Sequence, residues 1–390
     1  MIPTARAQAG NRIRVGVAGL GAVAQAVHLP LLARLRDTYE IAAIADLSPS
    51  LLATIGARYG VAPEARVTSI EELIARPGLD AIVLLTSGSH GAAALAALDR
   101  GLAVMCEKPL ATTLAEADRL GASPAADRLL LGYMKAYDPA VVEARRVAID
   151  EAATLGDLRS IDVIVLHPTD QAQLAFARLI APPRDLDAAV LASLGAATGA
   201  LLDKALGPAA HELGELYGGI LLGSLVHELA VIRAVTGEQG SLTIDHVDLW
   251  PEGAWPPSIS VAARLASGVR VAIGWHYLDR YPAYREEVRF HYPGGSVELT
   301  FPAPYRLHLP TNLTVETGGF ETRQRRIFES VGEAFELELV AFAELVRGGV
   351  APRTGIVDGR ADIVTCQRIA AAFAARQGLR IGGEAAASSR

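Results

Sequence analysis

The chain has 390 residues, 51% of them hydrophobic and 20% charged, which is enough for two or three domains with substantial cores. A formal net charge of −7 and the lack of any basic cluster argue against nucleic acid as a partner and favour a small-molecule substrate. The two cysteines, Cys106 and Cys366, have no metal-ligand spacing. We therefore expect no metal site and two reduced thiols in the core.

The N-terminal residues 1–11 contain no apolar core between their charges, which argues against a signal peptide or a membrane anchor. The uncharged run 188–202 is too short to cross a bilayer and is interrupted by Gly195 and Gly199. These features predict a cytoplasmic protein that makes no membrane contact.

Up to about residue 131, short apolar runs alternate with helical patterns. This alternation predicts a doubly wound parallel sheet, an α/β domain over 1–137, whose ligand edge is formed by the C-terminal ends of the strands. The predicted strands lie near 13–18, 41–46, 81–85, 102–106 and 129–133, and the helices near 22–36, 49–59, 69–75, 90–100 and 113–121.

Beyond Asp138-Pro139 the pattern changes to two-residue alternation, which predicts a second, α+β domain over 138–390 built on a mostly antiparallel sheet. A strand is expected in LRSIDVIVLHP, and others near 242–250, 258–266, 269–278, 286–292 and 296–301. Helices are expected near 139–150, 332–347 and 358–377, followed by a disordered tail at 383–390. The helical segment 171–216 is interpreted as a lid over the substrate, a dimerisation element or a surface helical hairpin.

The first predicted strand runs into the turn Gly19-Leu20-Gly21 and a helix that begins with Ala22 and Val23. In such a G-x-G-x-x-A turn the first glycine permits a tight bend, and the second lets a pyrophosphate approach the helix N-terminus. The alternative interpretation is an ordinary glycine-rich turn of another α/β protein.

Asp46 closes the next strand, where a carboxylate can accept hydrogen bonds from both hydroxyls of the adenosine ribose. The same carboxylate would repel a 2′-phosphate, and no arginine follows in Leu47-Ser48-Pro49. The sequence therefore predicts NAD rather than NADP as cofactor.

Two further strand ends fall on the same edge, at Thr86 and at Glu107-Lys108-Pro109. Burial and a neighbouring nicotinamide cation would lower the pKa of Lys108 toward the range of a working acid or base. Glu107 could orient the lysine or contact the cofactor. A surface Glu-Lys pair before a proline is the alternative.

These motifs, together with His90 after the third major strand, resemble the Gfo/Idh/MocA oxidoreductases over roughly residues 12–382. The resemblance implies hydride transfer between NAD and a secondary alcohol or ketone of a sugar, cyclitol or related polyol. It also implies that Lys108 contacts the reacting oxygen, that the Lys108–Pro109 peptide is often cis, and that His90 lies near the nicotinamide.

The segment 217–227, YGGILLGSLVH, is similar to a helical motif of that family in which an aspartate precedes a histidine by four residues. His227 matches the family histidine and is the predicted base. Gly223 stands in place of the aspartate, and Ser224 falls on a different helix face. His227 therefore acts without its usual orienting group, or the chemistry differs.

Four residues are candidate substrate ligands: Lys135, His167, Ser224 and His276. Lys135 precedes Ala136, where relatives often carry arginine, so substrate contacts differ here from the family pattern. For the sheet histidines His167 and His276, the alternative is a polar residue on a solvated sheet face.

Three functions remain open on these residues. The first is an NAD-dependent oxidoreductase of sugars, cyclitols or polyols, in which Lys108 and His227 are catalytic. The second is a non-redox enzyme of the epimerase or lyase type with tightly retained NAD, and the third is a non-catalytic regulator or partner subunit. An exposed sheet face predicts a homo-oligomer, either a dimer or a tetramer.

Overall fold

The structure, a computed structural model, describes residues 12–169, 174–181 and 183–388. Its first sheet has six parallel strands in the spatial order β3-β2-β1-β4-β5-β6, which is the Rossmann order and confirms the predicted doubly wound sheet. The strands are β1 (Ile13–Ala18), β2 (Tyr39–Ala45), β3 (Arg66–Val67), β4 (Ala81–Leu84), β5 (Ala103–Glu107) and β6 (Leu129–Gly132).

Helices cover both faces of this sheet, which explains why its strands are continuously apolar rather than alternating. Every residue of β4 and β5 is buried. The helices are α1 (Leu29–Arg34), α2 (Pro49–Tyr59), α3 (Ile70–Ala75), α4 (Gly91–Asp99) and α5 (Leu114–Gly121), and a π-helical turn, Ala24–His28, runs into α1.

The second sheet has eight strands in the order β14-β13-β12-β11-β7-β10-β9-β8. Only the β7–β10 pair is parallel, so the predicted, mostly antiparallel sheet is confirmed. The strands are β7 (Ser160–His167), β8 (Thr243–Trp250), β9 (Ser258–Arg264), β10 (Arg270–Tyr277), β11 (Arg285–Tyr292), β12 (Gly295–Phe301), β13 (Asn312–Gly318) and β14 (Arg323–Phe328). Strands β13 and β14 were not predicted from the sequence, and the exposed, arginine-rich β14 has no apolar alternation to mark it.

The helices of the second part are α6 (Pro139–Asp150), α7 (Ala152–Leu155), α8 (Ala188–Leu206), α9 (Ala210–Glu215), α10 (Val226–Thr236), α11 (Ala334–Val346), α12 (Ile356–Gln377) and α13 (Ala385–Ser388). A π-helical segment, Leu216–Leu225, connects α9 to α10. Helix α11 packs back on the first sheet, where the Tyr39 hydroxyl donates to the Leu339 carbonyl at 2.5 Å. The division at residue 137 remains a prediction.

The predicted disorder of the tail 383–390 is wrong for residues 383–388. Ala385 is fully buried, and the Glu384 carboxylate accepts hydrogen bonds from the amides of Leu114 at 2.6 Å and Ala115 at 3.0 Å. These amides open α5, where a carboxylate satisfies helix donors that have no partner within the helix. An Ala- and Gly-rich sequence gives no sign of such a distant partner. Residues 389–390, like 1–11, lie outside the described residues.

Helix α8 forms as predicted, but it is exposed along most of its length. Leu191 is 45% exposed and Leu194 is 50% exposed. By length and composition the helical run Ala188–Thr236 could cross a membrane, yet 67% of its most apolar window is buried inside the protein, as in a core helix. The role of the helical segment 171–216 as lid, dimerisation element or surface hairpin remains a prediction. The cytoplasmic location also remains a prediction.

Candidate active site

The glycine turn after β1 is fixed by the acid at the end of β2. The Asp46 carboxylate accepts hydrogen bonds from the Leu20 amide at 2.8 Å and from the Ser48 amide at 3.0 Å. Gly19 has a φ of +86°, and any side chain there would come within 2.8 Å of the Thr86 backbone nitrogen. A side chain at Gly21 would meet only open space, so the residues of the turn fit a dinucleotide that approaches the first amides of the helix.

Lys108 follows β5 at the edge of the same sheet, and the Lys108–Pro109 peptide is cis, as the resemblance implied. The Lys108 ammonium donates a hydrogen bond to the backbone carbonyl of Gly223. Gly223 lies in the π-helical segment 216–225, where backbone bonds join residues five apart. Residue 223 has no side-chain carboxylate, but its main-chain carbonyl still binds Lys108.

Glu107, next to Lys108, lies almost wholly buried and pairs with His28, whose Nε2 is 2.9 Å from Oε1 of the carboxylate. Burial raises the pKa of Glu107, but the hydrogen bond to His28 and the positive charge of Lys108 outweigh burial and lower the pKa overall. Glu107 is thus held as a carboxylate beneath the lysine. Its pairing with His28, 79 residues away, was not predicted from the sequence.

His227 is the second residue of α10 and lies near Tyr133, with ring centroids 6.3 Å apart in an edge-to-face arrangement. Burial, and then the charges of Lys108 and Lys135, lower the pKa of His227 well below its usual value. Its Nδ1 is buried without a hydrogen-bond partner in the described part of the chain. His227 is therefore a neutral imidazole at physiological pH, and among the described residues no carboxylate takes the place of the missing aspartate at its Nδ1.

Each ring nitrogen of His90 lies within hydrogen-bond distance of a backbone carbonyl, and a neutral imidazole donates to one of the two at a time. Nδ1 lies 2.7 Å from the Pro109 oxygen and Nε2 lies 2.9 Å from the Thr86 oxygen. Burial lowers its pKa. His90 therefore ties together the two loops that follow β4 and β5, and this geometry favours a positioning role over the predicted contact with the cofactor.

The ammonium of Lys135, a predicted substrate ligand, is paired with two buried carboxylates. It lies 2.5 Å from the Glu286 carboxylate and 3.3 Å from Glu228, and the Tyr284 hydroxyl donates to Glu286 at 2.6 Å. Lys135, Glu228 and Glu286 are all buried. The Lys135 ammonium needs these carboxylates as partners, because a charge that is buried away from water is costly unless it is paired. This pairing favours a structural role for Lys135 over the predicted contact with substrate.

The remaining substrate candidates separate onto two faces of the second sheet. The Ser224 hydroxyl accepts a hydrogen bond from the Trp275 indole at 3.0 Å, and His167 packs on Trp275 with ring centroids 5.5 Å apart. His276 follows Trp275 in β10 and points to the opposite face, where it contacts Trp250. The structure therefore groups Ser224 with His167 and removes His276 from the predicted substrate site.

Two contacts at the site involve residues that the sequence analysis did not single out. The Gln25 side chain donates to the Leu20 carbonyl at 2.8 Å and accepts from the Ile180 amide at 2.9 Å. Asp185 binds the Ser48 hydroxyl at 2.6 Å and the Ser50 amide at 2.8 Å. No local motif marks Ile180 or Asp185, which lie more than 130 residues from their partners.

Residues 13–131 match the family profile GFO_IDH_MocA, described as an oxidoreductase family with an NAD-binding Rossmann fold. The inositol 2-dehydrogenase of Acidiphilium cryptum is 38% identical over 131 residues, which are 32% of this chain and 38% of that protein. The inositol 2-dehydrogenase of Acidothermus cellulolyticus is 28% identical over 298 residues, 67% of this chain and 86% of that protein. The first match thus covers well under half of the relative.

Solved structures share the whole fold. An aldose-aldose oxidoreductase from Caulobacter crescentus superimposes with a TM-score of 0.69 at 20% identity, covering 96% of this chain and 100% of that one. A 3-ketoreductase from Actinomadura kijaniata in complex with NADP gives a TM-score of 0.67 at 21% identity, covering 95% and 98%. At such identities the likeness establishes the fold alone.

Proposed function

We propose that the protein is an NAD-dependent oxidoreductase acting on a secondary alcohol or ketone of a cyclitol or sugar, since residues 13–131 match the profile of the Gfo/Idh/MocA oxidoreductases. The carrying observation is that Lys108, at the C-terminal edge of the parallel sheet, is held by the Gly223 carbonyl near a neutral His227. Inositol dehydrogenases among the relatives support a cyclitol as the first substrate to test.

Residues of the glycine turn, Gly19, Leu20, Gly21, Ala22 and Val23, would hold the pyrophosphate, and Asp46 would hold the adenosine ribose. The bound nicotinamide supplies the hydride acceptor or donor. Thr86 and Glu107 would line its edge, and His90 would fix the loops around it.

Lys108 donates a hydrogen bond to the substrate oxygen and stabilises negative charge that develops there. His227 accepts the hydroxyl proton during oxidation and returns it during reduction, which a neutral imidazole can do. Ser224 and His167 lie on the sheet face that would border the substrate.

The experiment is a cofactor-dependent absorbance assay at 340 nm with a panel of cyclitols and sugars. We expect net NADH formation with at least one cyclitol, and a smaller signal when NADP replaces NAD. An absence of dinucleotide binding together with an absence of turnover on the whole panel would contradict the proposal.

A second candidate is a non-redox enzyme that retains NAD through each turnover. It is favoured by the unpartnered Nδ1 of His227 and by the contacts that Ile180 and Asp185 make across the cofactor turn. Purified protein that carries stoichiometric NAD and converts substrate without net NADH would support it. Free exchange of NAD with net turnover would exclude it.

The lowered pKa of His227 makes a specific prediction for the pH dependence of kcat/KM. A base acts only when it is unprotonated, and a lower pKa extends the unprotonated range to lower pH. We therefore expect kcat/KM to stay constant from pH 8 down past 6.5. Its decrease on the acidic side, the acidic limb, should begin only below pH 6.5. The H227N variant should lose this limb along with most activity, whereas a limb at or above pH 6.5 in the unmodified enzyme would contradict the assignment.

A further inference from the structure

A segment of the second domain lies across the predicted cofactor site. We call residues 174–181 and 183–187 the strap. The strap touches the first domain at two described points, where the Ile180 amide donates to Gln25 and where the Asp185 carboxylate meets Ser48 and Ser50. Gln25 lies in the turn that follows the glycine motif, and Ser48 lies two residues after Asp46. The strap therefore contacts both ends of the site proposed for the adenosine diphosphate half of NAD.

Asp185 binds the start of α2 through both carboxylate oxygens. Oδ1 accepts from the Ser48 hydroxyl at 2.6 Å, and Oδ2 accepts from the Ser50 amide at 2.8 Å. The Ser48 hydroxyl meanwhile caps the helix by accepting from the Leu51 amide at 3.1 Å. These hydrogen bonds lower the pKa of Asp185 to about 2, so the group remains ionised at physiological pH.

The donors that Asp185 uses are those that a 2′-phosphate would need. A ribose held by Asp46 directs its 2′ position toward the residues just after β2, which in NADP-dependent proteins supply donors or an arginine to the phosphate. Here the Ser48 hydroxyl and the Ser50 amide already bind a carboxylate. An incoming phosphate would also face two negative groups, because the Asp46 carboxylate accepts from the Ser48 amide at 3.0 Å.

We infer that Asp185, supplied by the second domain, occupies the place of a 2′-phosphate and is a cofactor-specificity residue of this protein. This inference rests on the proposed function, because it requires that the turn at Gly19 and Asp46 binds a dinucleotide. Asp185 would thus act beside Asp46, the acid at the end of β2, in excluding a 2′-phosphate. Unlike Asp46, Asp185 lies outside the Rossmann domain. NADPH can bind with its phosphate in contact with Ser48 and Ser50 only when the strap withdraws.

The test measures dissociation constants of NADH and NADPH by nicotinamide fluorescence, and of AMP and 2′,5′-ADP by calorimetry. The adenosine nucleotides probe the Asp185 end of the site without the nicotinamide. In the D185N variant we expect NADPH and 2′,5′-ADP to bind about tenfold tighter or more, with NADH and AMP changed by less than about threefold. D185S removes the same charge with a smaller side chain and should give the same pattern.

The matched control is D187N. It also removes one negative charge from the strap, but Asp187 caps α8, where its carboxylate accepts from the amides of Ala189 and Val190 rather than from α2. Asparagine preserves such a cap. Affinities of D187N for all four ligands should equal those of the unmodified protein.

Three results would overturn the inference. The first is equal NADH and NADPH affinity in the unmodified protein. The second is unchanged NADPH and 2′,5′-ADP affinity in both D185N and D185S while NADH still binds tightly, which would leave the proposed function standing. The third, no binding of either dinucleotide to any of these proteins, would remove the proposed function as well.

Discussion

Replacement of Lys108 by methionine should lower kcat about 10²- to 10⁴-fold, because the variant loses the group that donates to the reacting oxygen. Methionine keeps much of the length of the side chain but cannot make the hydrogen bond to Gly223. Affinity for NADH should change little, since the proposed pyrophosphate and ribose contacts lie in the glycine turn and at Asp46. Steady-state kinetics with the best substrate of the panel, together with NADH titration, would measure both effects.

Lys204→Met is the matched control for this experiment. Lys204 is an exposed residue in the last turn of α8 and has no place in the proposed chemistry. Its replacement should leave kcat unchanged. Turnover by Lys108→Met that matched the unmodified enzyme would show that Lys108 does not act on the substrate.

The buried cluster of Lys135, Glu228 and Glu286 should make stability fall as pH rises from about 4.5 to 8. Burial raises the pKa of Glu228 to about 8, and the neighbouring Glu286 adds to the rise while Lys135 opposes it. Between these pH values the unfolded chain releases the Glu228 proton and the folded protein keeps it, so the folded state binds more protons. Stability must then decrease with pH, by at most about 1.4 kcal/mol per pH unit from this group, and level off above 8.

Glu228→Gln removes this titration while preserving the shape and the neutral state of the side chain. Urea unfolding at pH 5, 6.5 and 8 should show a flatter pH dependence for the variant and a free energy of unfolding above that of the unmodified protein at pH 8. Glu212, an exposed residue of α9, provides the control substitution Glu212→Gln, which should preserve the original slope. Parallel slopes for Glu228→Gln and the unmodified protein would show that Glu228 is ionised in the fold.

The sequence predicts those parts of the site that depend on local pattern. Each parallel strand is an apolar run that ends at a polar residue, so Asp46, Thr86 and Lys108 could be placed on one sheet edge before the structure was known. The cis Lys108–Pro109 peptide was implied by the family resemblance and not by the strand pattern.

Long-range partners could not be predicted in the same way. The sequence shows that residue 223 is a glycine and lacks the carboxylate of the family motif. Only the folded backbone shows that the Gly223 carbonyl binds Lys108. Lys135 seemed available for substrate because its two glutamates lie 93 and 151 residues further along the chain. His276 was misplaced because its neighbour Trp275, rather than His276 itself, takes the inward position of β10.

The π-helical segment 216–225 also limits how the length of the chain can vary near the site. Its backbone bonds join residues five apart rather than four, so the segment contains more residues per turn than an α-helix. Deleting one residue between 216 and 222 would let the segment close as an α-helix. The backbone carbonyls of the segment would then take new directions, including that of Gly223, which accepts from Lys108. Single-residue deletions here should therefore harm activity more than deletions of equal size in the exposed first turns of α8, since a shift in helical register changes which backbone atoms meet Lys108.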